Sequence, residues 1–182
     1  MINMVNYSFG LGRAIWPLID AGDAIGDMPE RKRQIPNVLS QRGRYALKAL
    51  TYLARSGNKP GQVIAIAEAE NIPRKFLEAI MSDLRRANLV TSLRGKFGGY
   101  ILARPAKEIM FGDIIRATDG PLALVPCASK AFYRRCDDCT DEATCAIRKV
   151  MAEVREEVSA ILDRTSLAQA AAIGQAQDAP PA

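Results

Sequence analysis

The chain has 182 residues, of which 48% are hydrophobic, with four cysteines, no histidine and a formal net charge of +5. Length and apolar fraction suit one core-forming globular domain with an added element. Four cysteines are too few for a small disulfide scaffold, and the lack of histidine removes the commonest general base, so histidine-based hydrolase constellations are excluded.

The charge is uneven. From 40 to 104 there are 12 Lys and Arg against 4 Asp and Glu, a net of +8, whereas 105–182 has 9 against 12. A compact basic segment is an electrostatic footprint for a polyanion, with a solvated basic surface as the alternative. No stretch reads as a signal peptide or a membrane span, because Arg13, Pro17 and Asp20 interrupt the apolar start. A cytoplasmic protein without membrane contact is therefore expected.

Residues 1–37, rich in Gly, Pro and Asp, read as a flexible extension, with Met28 as an alternative start. Ordered structure is expected from 38. Ser40 is a good N-cap for a helix to Arg55, in which Ala46, Ala49, Leu50 and Leu53 share one face. A turn over 56–61 leads to a short helix from Val63 to Glu70, after which Asn71 suits a left-handed C-terminal position. Pro73 opens the next helix, to Ala87. Its buried stripe is Leu77, Ile80, Met81 and Leu84, and Lys75, Glu78, Ala79, Ser82 and Arg86 lie opposite. Two helices around a tight turn form a helix-turn-helix pattern.

Leu89 to Leu93 and Tyr100 to Leu102 are strand-like around a tip carrying Arg94 and Lys96, with Gly98 and Gly99 permitting positive φ. The phosphate-loop pattern GxxxxGK[ST] is absent. A helix-turn-helix followed by a basic hairpin is a winged helix. The expected fold is thus mainly α with a small β-hairpin wing, the winged domain spanning 38–120 and ending with a helix from Phe111 to Thr118. A long helix follows, over 144–167. In it Ile147, Met151, Val154, Val158 and Ile161 are spaced 4, 3, 4, 3, the seam of a coiled-coil dimer; packing on its own domain is the alternative. The low-complexity stretch 168–182 reads as a disordered tail.

All four cysteines fall in the connecting loop 121–145, as C-x8-C-x2-C-x5-C: Cys127, Cys136, Cys139 and Cys145. Four thiolates from one loop can complete a two-iron or a four-iron cluster. Lys130, Arg134 and Arg135 would favour the thiolates, while Asp137, Asp138, Asp141 and Glu142 read as solvated. Tetrahedral zinc and a thiol–disulfide switch at Cys136 and Cys139 stay open, as a stapled protein-interaction module.

The stretches LSQRGRYALKAL, KFLEAIMSDLRRANLV, LRGKFGGYILARP and FGDIIRATDG, within 38–167, resemble the IscR-type iron–sulfur-cluster regulators. The resemblance implies a homodimeric winged-helix transcription factor, generally a repressor, whose cysteine loop holds a [2Fe-2S] or [4Fe-4S] cluster. In that family three cysteines are usual. Cys127 lies where the first is expected, and Cys139 and Cys145 keep the spacing of the last two. The interval after Cys127 is longer than usual, and Cys136 is an addition that could supply the fourth ligand, which varies across the family and here cannot be histidine.

Double-stranded DNA, as a near-palindromic operator, is the implied partner. Arg42, Arg44, Lys75, Arg86, Arg94, Lys96 and Arg104 are candidates for backbone contacts. Lys75, Glu78 and Ser82 are candidates for base reading, the family also using an acidic residue at the place of Glu78. Arg94 is the candidate for the wing contact, and a surface pair of Glu78 with Ser82 or Arg86 is the competing reading.

Overall fold

A computed structural model describes residues 39–57, 59–95 and 98–177. The extension 1–37, the alternative start at Met28, Lys96 and the last residues of the tail, 178–182, lie outside the described residues.

Helix α1 (Gln41–Arg55) starts where Ser40 caps it, the Ser40 Oγ accepting from Gly43 N–H at 3.0 Å. Ser40 also donates from its N–H and its hydroxyl to the Asp119 carboxylate, at 2.8 and 2.6 Å. A Cβ on Gly43 would stand 2.7 Å from the same carboxylate, so the glycine of the RGRYA run lets the chain at Asp119 approach α1. Ala46, Ala49, Leu50 and Leu53 are buried, as their spacing requires.

Helices α2 (Val63–Ala69) and α3 (Arg74–Arg86) form the helix-turn-helix pair. Each ends on a left-handed asparagine, Asn71 at φ 52° and Asn88 at φ 55°. The next residue in each case turns inward: Ile72 N–H reaches the Ala67 carbonyl and Leu89 N–H the Leu84 carbonyl, both at 2.9 Å. Two stops of one kind thus set α2 against α3 and α3 against the hairpin. Leu77, Ile80, Met81 and Leu84 of α3 are buried against α1, α2 and the later helix Phe111–Thr118.

Strands β1 (Val90–Leu93) and β2 (Gly99–Leu102) pair antiparallel, with Val90 opposite Leu102 and Leu93 opposite Gly99. Gly61, ahead of α2, adds an isolated bridge to Tyr100, with both hydrogen bonds at 2.9 Å. The hairpin glycines serve differently from expectation. Positive φ falls on Gly95, at 112°, whereas Gly98 and Gly99 answer to crowding: a Cβ on Gly99 would lie 2.6 Å from the Gly61 carbonyl oxygen.

After a 3-10 turn (Ala106–Glu108) comes α4 (Phe111–Thr118), with Ile114 and Ile115 buried. The cysteine segment follows, then α5 (Ala146–Arg164) and α6 (Leu167–Gln177). Helix α6 corrects the expectation of disorder over 168–177, the part of the expected 168–182 tail that lies within the described residues. Leu167 is fully buried, Ala171 is buried, and Leu167 N–H donates to the Ile109 carbonyl at 2.8 Å. The run is poor in large apolar residues, yet one leucine and one small alanine suffice to dock it on α1 and the 3-10 turn. No helix among the described residues is long and apolar enough to cross a membrane.

Candidate functional site

Helix α3 is amphipathic, and its outer face is held by ion pairs that periodicity does not reveal. Glu78 pairs with Arg74 at 2.9 Å, one turn back, rather than with Ser82 or Arg86. Asp83 draws in two guanidiniums, Arg86 from its own helix and Arg42 from α1. Arg42 and Arg86 are thus tied to a carboxylate and orient α3 on α1, and the Arg42 Nε is buried without a partner among the described residues. Arg104 likewise leans on Asp113, at 3.3 Å. By contrast Arg44, Lys75 and Arg94 are exposed and have no acidic partner among the described residues, and Ser82 is half-buried on the same helix as Lys75 and Glu78.

The cysteines come together. Cys127, Cys136, Cys139 and Cys145 line one cavity of about 370 Å³, with Asp138, Asp141 and Arg148 at its wall. All four are free thiols. Cys127 is buried in a 3-10 turn (Pro126–Ala128), and the Cys136 thiol donates to its sulfur at 3.6 Å. The sulfur that Cys136 meets is therefore that of Cys127, and the extra cysteine lies inside the set. Cys145 is the N-cap of α5, its sulfur accepting from Arg148 N–H at 3.4 Å.

The thiol of Cys136 is pushed above its ordinary value, first by its hydrogen bond to Cys127, then by partial desolvation and by the neighbouring charges of Cys127, Asp138 and Cys145. Crowded sulfurs resist ionising together unless positive charge enters among them. Among the described residues no three Cys, Asp or Glu side chains converge on a single ion-sized point. Four cysteines lining one cavity are the donor type that an iron–sulfur core takes, the group that the resemblance implies.

The basic residues near the cysteines are placed otherwise than expected. Lys130 reaches Glu156 of α5 at 2.7 Å, and Arg135 donates to the carbonyls of Cys139 and Thr140 at 2.8 and 3.1 Å. The guanidinium at the cavity wall is Arg148, which donates from Nε to the Cys127 carbonyl at 3.2 Å. Sequence reasoning passed over it; its place three residues after Cys145, in the first turn of α5, was the available signal. Asp141 is held below the usual carboxylate range by the Thr144 hydroxyl, at 2.7 Å, and by backbone N–H groups including that of Ala143. Tyr133 is pushed up by its bond to Glu142.

On α5, Ile147, Val158 and Ile161 of the expected seam are exposed, Ile147 at 68% and Ile161 at 48%, and Val150 joins them; Met151 and Val154 are half-buried. No residue of α5 is buried outright. Beside the seam an apolar groove of about 400 Å³ runs between α5 and the chain after α4, lined by Ile115, Leu122, Val154, Val158 and Leu162.

A family model described as "Rrf2: Iron-dependent Transcriptional regulator" matches residues 39–172. The chain belongs to the Rrf2 family. It is 40% identical over 141 residues to an rrf2-like HTH-type transcriptional regulator of Rhodobacter capsulatus, covering 75% of this chain and 94% of that one. Among solved structures it resembles CymR (YrzC), the global cysteine regulator of B. subtilis, with a TM-score of 0.62 and 35% identity over 74% of this chain and 95% of that one. It also resembles T. potens IscR, with a TM-score of 0.62 and 29% identity over 79% and 92%. This Rrf2 protein is accordingly a DNA-binding transcriptional regulator with a winged-helix fold, and its relatives are regulators rather than enzymes.

Proposed function

We propose that this Rrf2 protein is a cytoplasmic, homodimeric repressor whose grip on DNA is set by an iron–sulfur cluster held by Cys127, Cys136, Cys139 and Cys145. The observation that carries the reading is that all four cysteines line one cavity at the start of α5, with the sulfurs of Cys127 and Cys136 3.6 Å apart. When bound, such a cluster supplies a centre whose presence and oxidation state answer to iron and redox conditions.

The chain's own residues do the rest. Two copies of α5 pair along the seam of Ile147, Met151, Val154, Val158 and Ile161 and fix the separation of the winged domains. Each α3 enters a major groove, so the operator is a near-palindrome with half-sites about one helical turn apart. Glu78 accepts from a cytosine amino group, with Lys75 and Ser82 beside it, and Arg94 reaches the minor groove from the wing. Arg44, Lys75, Lys96 and Arg104 contact phosphates, while Arg42 and Arg86 act chiefly by holding α3 through Asp83.

A second reading has one observation in its favour. The sulfurs of Cys127 and Cys136, 3.6 Å apart, are close enough for a thiol–disulfide switch after a small movement. Purification without oxygen separates the two. Matched iron and acid-labile sulfide, lost in Cys139→Ala and reduced or spectrally altered in Cys136→Ser, support the cluster. Air-protected wild-type protein with neither iron nor sulfide, whose DNA affinity follows thiol oxidation, would falsify it.

A further inference from the structure

Arg148 touches both ends of the cysteine segment. Its backbone N–H donates to the Cys145 sulfur at 3.4 Å and its Nε to the Cys127 carbonyl at 3.2 Å. Two turns further along α5, about 10 Å, Arg155 donates from Nη1 to the carbonyl of Ala128, the residue next to Cys127. One residue on, Glu156 takes Lys130 at 2.7 Å. Residues 127–130 are thus fastened along α5 chiefly by guanidiniums bonded to main-chain carbonyls.

Arg155 is a costly choice for simple packing. Its side chain is 15% exposed, and its Nε is buried without a partner among the described residues. Its Nη2 also pairs with Glu156, and a methionine or leucine could fill the same space without taking a cation and its partners out of water. The other end of α5 is also fixed. Arg116 of α4 and Asp163 form a bidentate pair with both bonds at 2.7 Å, and Phe111 N–H donates to the Thr165 carbonyl at 3.0 Å. A displacement of the cysteine segment is therefore carried by a helix tied at both ends, rather than absorbed by slack chain.

We propose that Arg148 and Arg155 are positioning residues that couple the filling of the cysteine cavity to the placement of α5, and through it to DNA affinity. This rests on the cluster reading given above. Full-length Arg148→Met, Arg155→Met and Arg155→Lys are compared with wild type, each iron-loaded and chelator-stripped, on a DNA fragment selected in vitro by the wild-type protein. In Arg155→Met iron and sulfide contents stay at the wild-type level, and for Arg148→Met affinity is read per iron-loaded protein. The stripped form binds DNA as wild type does, and the ratio of loaded to stripped affinity moves toward one by about 5-fold or more. Arg155→Lys recovers part of the ratio, and amide exchange over 127–131 quickens in stripped Arg155→Met.

A wild-type ratio that survives in both methionine variants overturns the coupling alone. So does loss of DNA binding in both forms with the ratio kept, which marks a merely structural role. A wild-type ratio of one overturns the cluster reading and the coupling together. Arg148, half-exposed, keeps the test decisive if Arg155→Met does not fold.

Discussion

Leu167→Ala tests whether the chain beyond α5 belongs to the winged domain. Leu167 is 0% exposed and sits in the cluster formed by Leu50, Ile109 and Ile114. Three carbon atoms are removed, and at about 0.8 kcal/mol for each buried methylene the transfer loss is ~2.4 kcal/mol. The cavity left behind brings the expected cost to ~3 kcal/mol, within the usual range for buried leucines. For a domain of this size that lowers Tm by about 10 °C. Ile173→Ala on the same helix, at a residue 63% exposed, is the control and should stay within ~0.5 kcal/mol. Both are measured by urea and thermal unfolding at one protein concentration, because dimer stability depends on concentration. If Leu167→Ala proves as mild as Ile173→Ala, α6 is not docked as described.

Ile161→Asp places a carboxylate in the open seam of α5, where pairing would bury it. It should weaken the proposed dimer by at least ~3 kcal/mol, with light scattering moving from dimer in wild type to monomer in the variant at micromolar concentration; a variant as dimeric as wild type means that the copies meet elsewhere, and a monomeric wild type refutes the dimer. Glu78→Gln should cost ~1–3 kcal/mol at a single base pair and relax discrimination there, measured on operator variants at fixed salt. A uniform loss on every sequence would instead assign Glu78 to structure, through its pair with Arg74.

The elements of the winged domain were legible because each depends on local chemistry. Ser40 caps α1, Asn71 ends α2, Pro73 precedes α3, and apolar residues at helical spacing mark the buried faces. Asn88 makes the same stop as Asn71, after the last-turn arginines Arg85 and Arg86 that themselves mark a helix end. The tail was misread. AQAAAIGQAQ has little periodicity, and its docking depends on Leu167 finding a gap among residues distant in sequence.

The sequence by itself determined the order of helices and hairpin, the clustering of four sulfurs on one connector and the apolar seam on α5, since all follow from spacing and residue type along the chain. Only the tertiary structure decided that Cys136 faces Cys127, that Arg148 rather than the loop's own cations stands at the cysteine cavity, and that Arg42 and Arg86 converge on Asp83. Those pairings join groups far apart in the chain, or choose one partner among several equally near. Long flexible side chains settle such choices by burial and charge in the folded state, which spacing does not encode.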